Sequence, residues 1–142
     1  RIKRAIHIKM ASIHYLSNEE IGAFKKIQSI ATYLDTRQTD IESYNTQHNI
    51  DKELLLNGRN LTNIGVFRKY AETYMENHSG IHKEMTLMVR QLEPGTQGIP
   101  IEIYGFSKDK RWENYEYIMA DIFDHIIAAV PYFNLEIFEL PS

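Results

Sequence analysis

The stretch ADIFDHI at 120–126 gathers Asp121, Asp124 and His125 into about one and a half turns of any helix that carries it. Two carboxylates and an imidazole that close together are the raw material of a metal site or an acid–base pair. Asp121 and His125, four apart, face the same way on a helix and can pair as neighbours. A metal would need a third ligand from another element and a dry setting, and the sequence shows neither. At about 100° per residue, Trp112, Tyr115, Met119, Ile122, Phe123, Ile126 and Val130 share one broad arc. Asp121, Asp124 and His125 fall on the opposite arc with Glu113 and Asn114. The expectation is a solvated face, with no catalytic and no metal-binding residue assigned.

The other histidines are weaker candidates. His78 and His82 also stand four apart, but Ser79-Gly80 between them breaks the helix that would align them on a metal. His7 and His14 are an odd number of positions apart, so an unbroken strand would point them to opposite faces. His48 lies in a loop without partners. No GxSxG, P-loop, HExxH or GxGxxG pattern occurs. With no cysteine in the chain, disulfides, thiol catalysis and cysteine-ligated zinc are excluded. The expectation is a protein that is not an enzyme and holds no cofactor.

The elements that position these residues are legible from periodicity. In AIHIKMASIHY at 5–15, Ile6, Ile8 and Met10 alternate with His7 and Lys9, a half-buried strand whose phase changes near Ser12. Ser17 and Glu20 form a capping box. Behind them Ile21, Phe24, Ile27, Ile30, Leu34, Ile41 and Tyr44 mark an amphipathic helix, with a break expected near Arg37 and Gln38 where the stripe lapses. Residues 45–60 read as a loop with a turn at Asn57-Gly58. A second helix runs from a cap at Asn63 to Asn77, stopped by Gly80, with Ile64, Phe67, Tyr70, Ala71 and Tyr74 on its apolar side.

Strand patterns at 85–92 and 99–106 flank the turn chemistry of EPGTQG, which predicts an antiparallel hairpin with Pro100 at an edge or a non-bonded position. A third helix is expected at 110–130. After the breaker Pro131, a closing strand is expected at 135–140. Setting aside the inserted helix, the order is βαββαβ. That order packs as an α+β ferredoxin-like sandwich, an antiparallel four-stranded sheet with helices on one face. The sheet's other face keeps Met88, Tyr104, Phe106, Phe138 and Leu140, more apolar surface than a bare wet face needs. A neighbouring subunit, a preceding domain or the inserted helix is expected to cover it.

The chain has 142 residues, 43% hydrophobic and 25% charged, which suits one domain with its own core. A net charge of −3 argues against a general nucleic-acid binder, and the basic run Arg1, Lys3, Arg4 reads as a solvated strand end. No stretch reaches the roughly 20 apolar residues of a membrane-spanning helix, and no signal peptide is evident. The chain opens on Arg rather than Met and reads as part of something longer.

Two segments then resemble a known family. They are NGRNLTNIGVFRKYAETYMENHSGIHKEMTLMVRQLEPGTQGIPIEIYGF at 57–106 and WENYEYIMADIFDHIIAAVPYFNLEIFELPS at 112–142. They resemble the C-terminal cytoplasmic region of bacterial small-conductance mechanosensitive channels, most closely the miniconductance branch. RIKRAIHI at 1–8 and IHYLSNEEI at 13–21 fit that branch, whose insertion between the first strand and first helix would be residues 17–57 here. GRNLTNIG, MVRQLEP, IEIYGF and ADIFDHI are the most specific stretches. The resemblance implies a homoheptamer in the bacterial inner membrane, with this single domain, 1–142, on the cytoplasmic side as part of a hollow vestibule. The membrane helices and the β domain would lie upstream, and the pore would open under bilayer tension on hypo-osmotic shock. No portal-lining residue carries over. The inserted helix, through Phe24 and Ile27, is expected to contact another subunit or a partner. The alternative is a free-standing ferredoxin-like module that binds a small ligand or regulates an enzyme. A metal-dependent hydrolase using Asp121 and His125 ranks last.

Overall fold

The computed structural model describes residues 1–141 and shows an α+β chain built on a three-stranded antiparallel sheet. In chain order the strands are β1 (Ile2–Ile8), β2 (Met88–Gln91) and β3 (Ile99–Gly105). The helices are α1 (Asn18–Phe24), α2 (Ala31–Gln47), α3 (Asn63–Asn77) and α4 (Trp112–Ala129). The sheet order is β1-β3-β2, so the hairpin β2–β3 forms as its turn residues predict and β3 takes the centre. Ile2, Ile6 and Ile8 of β1, Val89 of β2, and Ile99, Ile101 and Ile103 of β3 are buried on the face beneath the helices.

The hairpin turn depends on one glycine. Gly98 has φ +81°, and a Cβ there would lie 2.3 Å from the carbonyl oxygen of Ile8. Only glycine combines that backbone conformation with that approach. Pro100 lies in the central strand opposite His7. The His7 carbonyl is turned away from it, accepting from Phe138 N–H at 2.8 Å, so the missing proline N–H removes no bond to β1.

The fourth strand expected at 135–140 does not form. Ile137 makes a single antiparallel bridge to Ile8, with Lys9 N–H donating to the Glu136 carbonyl at 2.8 Å on one side and the Phe138 bond on the other. Leu135 is buried and Ile137 half-buried, so the side-chain alternation is real while the backbone pairing is not sustained. The segment begins late, after a 3-10 turn at Val130–Phe133 that ends on Asn134 at φ 56°. It then peels away at the exposed Glu139 and Leu140, before Pro141, which has no N–H to offer.

The inserted helices differ from the pattern in two ways. The chain is interrupted at Lys25–Ile30, where a 3-10 turn (Gln28–Ile30) joins α1 to α2, while α2 runs unbroken through Arg37 and Gln38. A stripe of apolar residues at mixed three- and four-residue steps reads as one helix even when the backbone re-aims between two. The stripe is also spent within the chain. Phe24, Ile30 and Leu34 are buried, and the Phe24 ring meets Phe133 at 5.4 Å. Phe24 is therefore core and presents nothing to a partner.

The Ser17–Glu20 capping box forms as expected. α3 is capped by the Thr62 hydroxyl, which accepts from Gly65 N–H at 3.1 Å, rather than by Asn63. β2 is shorter than the 85–92 pattern, and Trp112, placed on the apolar arc of α4 by periodicity, stands 74% exposed at the helix start.

Candidate functional site

α3 and α4 lie side by side with a ladder of rings between them. His125 of α4 stacks on Tyr74 of α3 with centroids 3.9 Å apart and planes 2° from parallel, and its Nε2 shares a hydrogen bond with the Tyr70 hydroxyl at 2.6 Å. One turn along, Tyr74 meets the ring of His78 edge-on at 5.7 Å, and His78 Nε2 lies 2.7 Å from Asp121 Oδ2. The α3 spacing Tyr70, Tyr74, His78 and the α4 spacing Asp121, His125 are both four residues, so two parallel rows meet rung by rung.

Hydrogen-bond direction sets the state of His78. Gly80 N–H donates to Nδ1 at 3.0 Å, so that nitrogen is an acceptor and the hydrogen sits on Nε2, where it points at Asp121. Burial raises the Tyr70 hydroxyl above its ordinary pKa. Tyr74 is raised by burial first, then by the charge of Asp121 and the neighbouring Tyr70. Both phenols therefore stay protonated at neutral pH, and both nitrogens of His78 are committed. The ladder joins the two helices, and His78 has no nitrogen left free to act as a base.

The sequence brought Asp121 and His125 together as partners and treated His78 separately. In the folded chain Asp121 pairs with His78 and His125 with Tyr70, while Asp124 points to solvent. His82 does not join His78: its Nδ1 accepts from Glu84 N–H at 3.3 Å. His48 stacks on Tyr44 at 4.0 Å, and the Arg59 guanidinium lies 3.8 Å from the centroid of the same tyrosine ring. Among the described residues no group of three or more His, Cys, Asp or Glu side chains is arranged to hold a metal.

At the far end of the ladder a cleft of about 300 Å³ opens between Ile27, Tyr70, His125, Ala128, Tyr132 and Phe133. A second groove of about 380 Å³ lies within the insertion, floored by Ile21, Ile41, Ile50 and Leu61 and edged by Glu42 and Arg59.

A second polar cluster holds the start of the insertion to the rest of the chain. Asn63 is fully buried. Its Nδ2 donates to the carbonyls of Ser12 at 2.9 Å and Phe133 at 3.1 Å, and its Oδ1 accepts from His14 N–H and Ile64 N–H, both at 3.0 Å. Beside it, His14 Nε2 lies 2.7 Å from Glu20 Oε2, which also accepts from Asn134 Nδ2 at 2.9 Å. His14 Nδ1 faces the Ser12 carbonyl at 3.1 Å. Two acceptors on one imidazole call for a hydrogen on each nitrogen, the charged form. The Glu20 bond accordingly raises the His14 pKa against a smaller effect of burial. For Glu20, burial pushes upward, but the bonds from His14, Asn134 and Ser17 together outweigh it and hold the carboxyl below its ordinary value.

Periodicity could not have found either Asn63 as a brace or Lys83 as a cap. Lys83 Nζ reaches back to the carbonyls of Met75 and His78 and closes the end of α3. The only local signal was a cation a few residues past a helix end. On the open face of the sheet Glu102 is 4% exposed, held by Arg90 Nε at 2.8 Å across the β2–β3 pair. No described helix is long and apolar enough to cross a membrane. No protein-family model and no solved structure matches this chain.

Proposed function

We propose that the chain is the cytoplasmic vestibule domain of a bacterial mechanosensitive ion channel of the small-conductance family, miniconductance branch. In this reading it is a non-enzymatic wall block in a homoheptamer at the inner membrane, facing the cytoplasm, binding neither cofactor nor nucleic acid. The observation that carries it is where the four family-like stretches fall in the fold. GRNLTNIG supplies the Thr62 cap and the Asn63 brace, and MVRQLEP contains β2. IEIYGF contains most of the central strand, and ADIFDHI the α4 side of the ring ladder. Residues shared with a family for the sake of a wall would be those that hold the wall together.

The ferredoxin-like sandwich belongs to the same proposal. It is supported by the single bridge of Ile137 to Ile8, which sets the closing segment beside β1 at the edge of the three-stranded order β1-β3-β2, where that sandwich would place a fourth strand. The test is genetic. The coding sequence upstream of Arg1 should contain runs of about 20 apolar residues, and the full protein should raise survival of cells moved from high to low osmolarity. A coding sequence with no such run sinks the reading.

A small-ligand module is the second reading, favoured by the apolar cleft at Tyr70 and His125. It requires that His125→Ala abolish binding of some metabolite that the native chain retains through dialysis.

A further inference from the structure

Between the end of α2 at Gln47 and the start of α3 at Asn63 the chain forms no helix or strand. Irregular connections beyond about 12–15 residues are uncommon inside a compact domain, and those that are ordered usually carry function. This one is fastened at several points. Asn45 Oδ1 accepts from Arg59 N–H at 2.9 Å, and Asn45 Nδ2 donates to the Arg59 carbonyl at 3.2 Å. Lys52 Nζ donates to the Leu55 carbonyl at 2.7 Å, to Asn60 Oδ1 at 2.6 Å and to the Asn57 carbonyl. Gly58, at φ +72°, brings the connection so close to α2 that a Cβ would lie 2.3 Å from Asn45 Oδ1 and 2.7 Å from Ile50 Cγ2.

These bonds preform the groove of about 380 Å³ that Ile21, Ile41, Ile50 and Leu61 floor, a size that suits a small molecule. Its rim carries both signs of charge. Glu42 stands on α2, three positions before Asn45 and so one turn away on the same face. Arg59 stands on the wall that Asn45 holds, its guanidinium 3.8 Å from the centroid of the Tyr44 ring. Lys52 also lines the groove; its three hydrogens are spent on the wall, and its charge adds to that of Arg59. Among the described residues none of Glu42, Lys52 and Arg59 takes part in an ion pair. A carboxylate and a guanidinium therefore flank one apolar floor without meeting each other.

That arrangement selects among small ligands. An apolar acid would set its carboxylate near Glu42, and an apolar amine would set its ammonium near Arg59 and Lys52. A molecule with both charges on neighbouring atoms and an apolar branch satisfies the whole rim and the floor together. We propose that the groove binds an α-amino acid with an aliphatic or aromatic side chain. Its carboxylate pairs with Arg59, its ammonium with Glu42, and its side chain rests on Ile21, Ile41, Ile50 and Leu61. The site goes beyond the channel reading and does not depend on it. It is also separate from the cleft at Tyr70 and His125.

The test is a titration of the isotope-labelled chain with L-leucine and L-phenylalanine, followed by NMR and calorimetry. At least one of them should give saturable shifts at Ile21, Ile41 and Leu61. The unaltered chain tests the charges directly. 4-Methylpentanoate, which lacks the ammonium, and 3-methylbutylamine, which lacks the carboxylate, should each bind about tenfold more weakly than leucine. Glu42→Gln and Arg59→Gln should each weaken amino-acid binding about tenfold, and Glu42→Gln should leave the affinity for 4-methylpentanoate unchanged. No saturable response to either amino acid overturns the site. So do shifts confined to Tyr70 and His125, or a singly charged analogue that binds as tightly as the amino acid. Amino-acid binding without protection from osmotic downshock keeps the site and removes the channel reading; protection without binding removes the site alone.

Discussion

Phe24, from the inserted helices, and Phe133, from the turn after α4, meet at 5.4 Å with ring planes tilted by 56°. Phe133 also meets Phe67 at 5.6 Å and Tyr70 at 5.4 Å, so one ring joins the insertion, α3 and the end of α4. Phe24→Ala removes a buried ring and leaves a cavity, at a cost of about 3–5 kcal/mol. Urea unfolding should show the loss across the whole transition. If only the insertion frays while the sheet keeps its stability, Phe24 is a local contact.

The fully buried amide of Asn63 serves four backbone groups. Asn63→Ala should cost about 2–4 kcal/mol, because each stranded carbonyl or N–H keeps its desolvation penalty. Asn63→Leu should do no better, although it fills the volume. Equal stability of the leucine variant and the parent would show that packing rather than hydrogen bonding sets the site.

Much of this fold was legible in the sequence, for definite reasons. Period two marked β1 and β3, period 3.6 marked α3 and α4, and the capping box at Ser17–Glu20 is a local code read over three residues. What was missed depends on distance along the chain. Asn63 looks like a cap because its partners Ser12 and Phe133 are remote, and Asp121 looks like a partner of His125 because both ring partners, His78 and Tyr70, come from another helix. The closing strand failed because side-chain alternation reports which face is wet and says little about whether a backbone finds an edge to pair with.

The His14–Glu20 pair gives stability a pH dependence of known sign. The His14 pKa is raised, so its contribution is complete below its ordinary 6.5 and fades as pH climbs through the folded value. The Glu20 pKa is lowered, so its contribution is complete above its ordinary 4.5 and fades as pH falls through the folded value. Both are whole between those limits. With the His14 side chain 42% exposed, the effect is small, ~0.5 kcal/mol. His14→Gln should flatten the alkaline side of a melting-temperature profile; an unchanged slope there would remove His14 as its source.

Gly98→Ala should cost about 2 kcal/mol or more, since the new methyl meets the Ile8 carbonyl in a conformation that L residues avoid. Gly95→Ala, in the same turn with open space around it, is the control. Comparable losses at both positions would point to turn entropy rather than the close approach.

Asp121→Asn should leave stability within about 0.5 kcal/mol, because an amide oxygen accepts from the Nε2 hydrogen of His78 as a carboxylate does and the Asp121 side chain is 67% exposed. A larger loss in thermal melts would mean that His78 carries charge in the folded chain.

The lone bridge at Ile137 has a further consequence. Among the described residues no strand neighbours the outer rim of β1 from Ile2 to Ile6, and its outward backbone amides and carbonyls form a template onto which a stray extended peptide could zip. Lys3 and Arg4 stand along that rim, and two like charges deter a second identical rim from approaching in register. Their positive character thus guards against fibril-like growth, and a variant neutral at both should precipitate from solutions in which the parent stays clear.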